Sequence, residues 1–137
     1  MVFKAMGKIN VNRLQERVSV IELILPYPDK SLMPNRKNGA HWGKTSKAKQ
    51  EVMKTCFYLT KEAMQGALFI KCDTYPLALT FYQADKRHRD LDNLLAAYKS
   101  NIDSVAQALG INDKQFEPIT ISRGYDTKSY TSIRIGE

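Results

Sequence analysis

The chain lacks most of what would place it in a membrane, a secreted scaffold or a zinc site. No apolar run approaches the roughly 20 residues needed to cross a bilayer. The opening stretch, MVFKAMGKINVNRLQERVSV, has none of the basic, apolar and small-residue segments of a secretory signal. Cysteine is scarce: Cys56 and Cys72 form no C-x-x-C pair and no disulfide framework, so both read as reduced thiols of a cytosolic protein. There is no His/Cys/His constellation for zinc, no Ser-His-Asp signal and no glycine-rich phosphate loop, and nucleophilic catalysis therefore has no candidate. Repeats and low-complexity segments are also missing. Together these absences favour the cytoplasm.

What remains is one domain of 137 residues, long enough for a real core but not for two. Apolar residues make up 43% and charged residues 26%, ordinary values for a globular protein. The charge is not balanced. Lys and Arg outnumber Asp and Glu by 21 to 14, a net +7. From Lys30 to Gln50 there are six cations (Lys30, Arg36, Lys37, Lys44, Lys47 and Lys49) and no acid. Such a block is the electrostatic footprint of a phosphate-rich partner, although a solvated loop has the same composition.

Periodicity predicts the order β-α-β-α-β-β, and hence an α+β domain whose mixed sheet has helices packed against it. Residues 1–17 read as a poorly ordered extension, with a short helical turn at Val11–Glu16, so the domain proper is 18–137. Val18–Leu25 alternates as a strand, with Ile21, Leu23 and Leu25 on one face and Glu22 on the other, and Pro26 and Pro28 end it. Asp29–Thr45 is a long loop. A helix follows over about Ser46–Gln65, its stripe made by Val52, Cys56, Leu59 and Ala63, widened by Met53, Phe57 and Met64, with Gly66 as its stop. Residues 67–75 are ambiguous. Leu77–Ala84 is a second strand, and a helix capped near Asp92 carries Leu91, Leu94, Leu95, Tyr98, Ile102, Val105 and Leu109 on one stripe, ending at Gly110. Ile119–Ser122 and Tyr130–Ile135 close the domain as two short strands.

The run Asp85-Lys86-Arg87-His88-Arg89-Asp90-Leu91-Asp92-Asn93 is the most informative segment. Two ionised carboxylates about 4 Å apart repel by roughly 4 kcal/mol at an effective dielectric near 20. Something positive must offset that repulsion, either neighbouring Arg and Lys side chains or a divalent cation. Asp90 and Asp92 stand on alternate residues, from which two carboxylates can converge on one hard cation such as Mg²⁺, and Asp113 beyond the helix could add a third oxygen. The alternative is structural: acids at a helix N-terminus cap free N–H groups and favour the macrodipole, each by about 0.3–1 kcal/mol. Lys86, Arg87, His88 and Arg89 would grip phosphates in one reading and merely neutralise the aspartates in the other.

Lys99 lies seven residues after Asp92, within about 20° of the same helix face, where its ammonium could assist a nucleophile or leaving oxygen. Its bland role is an i,i+4 pair with Asp103, worth a few tenths of a kcal/mol, roughly. His41 and Trp42 stand together in the basic loop, placed either to stack on a base or to anchor the loop.

These motifs resemble the RusA family of Holliday-junction resolvases, small phage-derived endonucleases. The likeness rests on KRHRDLDNL (Lys86–Leu94), the Lys99-to-Asp103 segment, ALGINDKQF (Ala108–Phe116), LPYP (Leu25–Pro28) and MPNRKNGAHW (Met33–Trp42), and spans residues 18–135. It implies a Mg²⁺-dependent homodimer, in which Mn²⁺ can substitute, that nicks four-way DNA junctions symmetrically. Asp90, Asp92 and Asp113 match the family's metal-binding catalytic acids, and Lys99 is the best match to its catalytic lysine. Two departures stand out. The family's lysine comes four residues after the second aspartate, where this chain has Ala96, and Asn112 stands where the family often has another aspartate.

The expected protein is thus a junction-resolving DNA endonuclease of recombination and repair. Asp90, Asp92 and Asp113 hold the metal in this reading, and Lys99 assists at the phosphate. Arg36, Lys37, Lys44, Lys47 and the Lys86–Arg89 run contact the DNA arms. The rival is a basic nucleic-acid-binding module, without catalysis, whose aspartates only cap a helix. No organic cofactor is expected in either case.

Overall fold

Strand alternation builds this domain around one face of a sheet. The computed structural model describes residues 7–12, 17–34 and 42–137. Its elements are β1 (Gly7–Asn12), β2 (Arg17–Leu25), a 3-10 turn (Lys30–Leu32), α1 (Trp42–Met64), β3 (Leu68–Phe69), β4 (Tyr75–Gln83), α2 (Leu91–Ala97), α3 (Lys99–Leu109), a second 3-10 turn (Asp113–Gln115), β5 (Phe116–Tyr125) and β6 (Tyr130–Gly136). The sheet runs β1-β2-β6-β4-β5, with β3 beside β2. It is mixed: β4 and β5 are parallel, whereas β6 is antiparallel to both β2 and β4. The α+β class expected from the residue pattern is the one observed.

Ile21, Leu23 and Leu25 of β2, Leu77, Leu79 and Phe81 of β4, and Ile133 and Ile135 of β6 are all buried on one side. The helices cover that side, where Cys56, Leu94, Tyr98, Ile102 and Val105 complete the core. Burying each such aliphatic or aromatic side chain stabilises the fold by roughly 1.5–3 kcal/mol. Polar contacts set how α1 lies on α3: Asn101 donates to Cys56 Sγ at 3.3 Å, and Ser104 donates to the Met53 carbonyl. Among the described residues, no helix is long and apolar enough to cross a membrane.

Several expectations are corrected. Gly7–Asn12 is not an unordered extension but pairs antiparallel with β2, and Val11 and Asn12, expected in a helical turn, belong to that strand. Residues 13–16 lie outside the described ones. The ambiguous 67–75 stretch holds β3, parallel to β2, followed by a turn pinned by Tyr75, whose hydroxyl donates to the Ile70 carbonyl at 2.7 Å. Helix α1 starts at Trp42, ahead of the expected Ser46, and Phe57 points out of the core, with the Lys61 ammonium 5.7 Å from its ring.

The helix expected up to Leu109 bends at Tyr98. The Tyr98 N–H is shared between the Leu94 and Leu95 carbonyls, each at 3.0 Å, which tightens the turn. Its ring meets Phe81 edge-on at 5.6 Å, and its hydroxyl donates to the Pro26 carbonyl at 2.9 Å. A buried ring tied at both ends thus sets the angle between the two helical segments. Gly110, with φ of 74°, takes the left-handed position that ends α3.

Candidate phosphate-facing site

Strand β4 delivers the charged run to the edge of the sheet, and two buried side chains fix it there. Gln83 continues the inward parity of Leu77, Leu79 and Phe81, and its side chain is only 1% exposed. Its amide donates to the Arg87 carbonyl at 2.5 Å and the Asp85 carbonyl at 3.1 Å. From the neighbouring β5, Arg123 donates to the Arg89 carbonyl. The Lys86–Arg89 loop is therefore held from below by one residue on each of two parallel strands.

Asp85 and Arg89 neutralise one another within this loop. The Arg89 guanidinium donates to both Asp85 oxygens, at 2.7 and 3.0 Å, and lies 6.0 Å from the Tyr27 ring. That hydrogen bond is the main reason the Asp85 carboxyl is held down to about 2. Arg89 thus has a partner already, unlike a free phosphate-binding arginine. Lys86, Arg87 and His88 are exposed, and neither Lys86 nor Arg87 has an ion-pair partner among the described residues.

Asp90 and Asp92 are left open. Asp90 occupies the N-cap position of α2 with φ −67° and ψ 131°, yet its side chain makes no capping hydrogen bond. Among the described residues its ion-pair contact is with His88, whose Nε2 lies 4.0 Å from the carboxylate. Asp92 sits exposed in the first turn. The capping alternative correctly places both at the helix start, but the hydrogen bond that is capping's main contribution is missing.

Asp113 belongs to a different group. Gly110 turns the chain back, and Asn112 caps the second 3-10 turn in a reciprocal pairing with Gln115. Lys99 then reaches Asp113 at 3.3 Å and Asp103 at 3.9 Å. Burial pushes the Asp103 carboxyl up against the pull of Lys99, and the neighbouring Asp113 adds to the rise. Burial also acts to raise Asp113, but the hydrogen bond and charge of Lys99, with a hydrogen bond shared with Asp103, outweigh it and hold that carboxyl low. Two carboxylates with their protonation pushed apart around one ammonium form a closed electrostatic unit.

Lys99 is seven residues along the helical path from Asp92, or about 10 Å of rise. Among the described residues, no three His, Cys, Asp or Glu side chains are close enough together to hold a metal ion. The structure therefore does not gather Asp90, Asp92 and Asp113 as one three-carboxylate set, because Asp113 is drawn to Lys99 and Asp103. The acids of this set left without a lysine or arginine partner among the described residues are Asp90 and Asp92. Magnesium commonly takes one or two carboxylates and completes its shell with water and phosphate oxygens.

Of the other expected contacts, Lys47 is exposed on α1. Arg36, Lys37 and His41 lie outside the described residues, as do the side chains of Trp42 and Lys44. Reading the residues missed Gln83 and Arg123. The signal for Gln83 was there: it is a polar residue at a core-facing position of an alternating strand. Arg123 had the parity of Ile119 and Ile121, but fell one residue past the expected end of its strand.

No protein-family model matches the chain. A protein of Xylella fastidiosa described only as an uncharacterized protein is 34% identical over 95 residues, which is 69% of this chain. The match spans 61% of that relative's length, so its likeness carries no activity to this protein.

Proposed function

We propose that the protein is a Mg²⁺-dependent DNA endonuclease of RusA type that resolves four-way junctions by paired nicks, with Mn²⁺ able to substitute. One observation carries this reading: two carboxylates without a hydrogen-bonded partner among the described residues, Asp90 and Asp92, lie beside exposed Lys86, Arg87 and His88, while the third acid of the run is neutralised by Arg89. At the scissile phosphate itself a bare acidic pair would repel, and a divalent cation inverts that sign. Bound there, Mg²⁺ would acidify a water and neutralise charge on the phosphate.

This chain's residues divide the remaining work. Asp90 and Asp92 hold the ion. Lys86, Arg87 and His88 meet the flanking phosphates, so affinity falls steeply as salt rises. Asp113 and Asp103 hold the Lys99 side chain in place, from where its ammonium steadies the developing oxyanion. Two symmetric scissile phosphates and one site per chain call for a twofold dimer. A cytoplasmic location, where recombination intermediates arise in a cell without a nucleus, accords with this activity.

The rival, a binding module without catalysis, draws on Asp90's N-cap position and on the absence of a three-acid cluster among the described residues. A synthetic four-way junction incubated with protein and Mg²⁺, beside Asp92→Asn and an EDTA control, separates the two. Paired nicks that vanish in the variant and in EDTA support the enzyme. Equal junction binding without nicking by either protein supports the module.

A further inference from the structure

Beside the open carboxylates lies a cavity of about 250 Å³, walled by Lys30 at the start of the first 3-10 turn and Met33 just past its end, Arg87 and His88 on the loop, and Asn93 and Leu94 on α2. That is room for about eight waters at roughly 30 Å³ each, far too little for a protein partner. Asp90 at its rim is the one acid of the lining, against Lys30 and Arg87 with the His88 imidazole beside them, since the charge of Arg89 is matched by Asp85. Met33 is half-buried, so its side chain gives the cavity an apolar floor beside the cationic walls. The backbone of the loop is also pre-set, because Gln83 and Arg123 pin the carbonyls of Arg87 and Arg89, so less backbone entropy is lost when a ligand arrives.

We propose that this pocket binds one phosphorylated nucleotide within a single-stranded segment of nucleic acid. Its phosphate lies between Lys30, Arg87 and His88, and its sugar and base rest on Met33. The proposal takes the polymer from the reading above, but needs neither the metal nor cleavage. A cation cluster alone would bind any phosphate; the apolar floor is what selects an attached nucleoside. An unpaired nucleotide fits because a base inside a duplex cannot leave its stack without cost.

The test uses the full chain in EDTA, so that no strand is cut. Methyl-labelled methionine gives an NMR probe at Met33, assigned with Met33→Leu. Thymidine monophosphate should shift the Met33 signal, thymidine should do so far less, and Arg87→Ala should remove the response. A short oligothymidylate with 5′-hydroxyl ends should give the same shift, since its phosphates are internal. If only a 5′-phosphorylated strand does so, the within-strand assignment falls. In binding assays with that oligothymidylate, Arg87→Ala should weaken affinity by about tenfold, the scale of a lost charged hydrogen bond. Lys86→Ala, next door but outside the pocket, should weaken it by about twofold, as for an exposed charge. Equal losses would mean a diffuse positive field and would overturn the pocket. Junction cleavage with a silent Met33 sinks only this proposal, and a responsive Met33 without cleavage sinks only the endonuclease.

Discussion

The two acidic groups of this molecule are built from the same residue type and behave in opposite ways. At the start of α2, Asp90 and Asp92 face solvent without a hydrogen-bonded partner. At the start of α3, Asp103 and Asp113 close around Lys99 and split their titration, one pushed up and one held down. The first group has unspent negative charge and can accept a cation. The second has already satisfied its own, which suits it to orienting an ammonium. Electrostatic capacity is thus set by the partners a carboxylate has found, more than by how many carboxylates are near.

The largest effect that would break this contrast is at Asp92. Asp92→Asn should lower junction cleavage by at least about 100-fold, the scale of a lost electrostatic contact to a transition state. Thermal stability should barely move, because the side chain is exposed. If Asp113→Asn proves as damaging as Asp92→Asn while Mg²⁺ binding by calorimetry falls equally in both, the two groups are one site and the contrast fails.

Lys99→Ala comes next. It should slow cleavage by about tenfold while junction affinity stays within about twofold, as for loss of a positioned general acid or electrostatic helper. The same variant should let the Asp113 carboxyl titrate at higher pH by NMR, since Lys99 is what holds it down. The sign follows from that: a depressed carboxyl stabilises the fold above its unfolded value and loses this as pH falls through the folded one. Lys99→Ala should therefore flatten the acid limb of the stability curve.

Gln83→Ala should weaken the first group and leave the second alone. Removing the buried amide leaves the Arg87 and Asp85 carbonyls without their donor and costs about 1–3 kcal/mol of stability by chemical denaturation. Oligonucleotide affinity should fall with it, whereas the Lys99–Asp113 unit should titrate unchanged. The smallest effect concerns the thiols. Burial pushes Cys56 up to about 11, so at pH 8 a thiol reagent should label exposed Cys72 and spare Cys56. Because the Cys56 value is raised, its contribution to stability is complete below the ordinary thiol range and fades as pH climbs toward 11.

Much of the frame was legible. The alternation of Leu77, Leu79 and Phe81 and the 3.6-residue stripe from Leu91 to Leu109 each named the buried face correctly, because period is a local property of the chain. Gly66 and Gly110 marked helix ends for the same reason. The short β3 was illegible, since two residues carry no period and gain their place only from pairing with Arg17 and Val18. The strand at Gly7–Asn12 was likewise missed, because it is completed by β2. The bend at Tyr98 has no breaker residue in the chain and comes from what its ring and hydroxyl touch.

For the site, residue type and spacing were enough to single out the basic run, its aspartates and Lys99. Charge and chemical class are carried by each residue wherever the chain goes. Which acids remain available was settled only by folding. Asp113 meets Lys99 across 14 positions of sequence because Gly110 and the second 3-10 turn fold the chain back on α3. Gln83 and Arg123 come to hold one loop because their strands lie side by side in the sheet. Contacts of that kind depend on distances through space, which order along the chain does not contain.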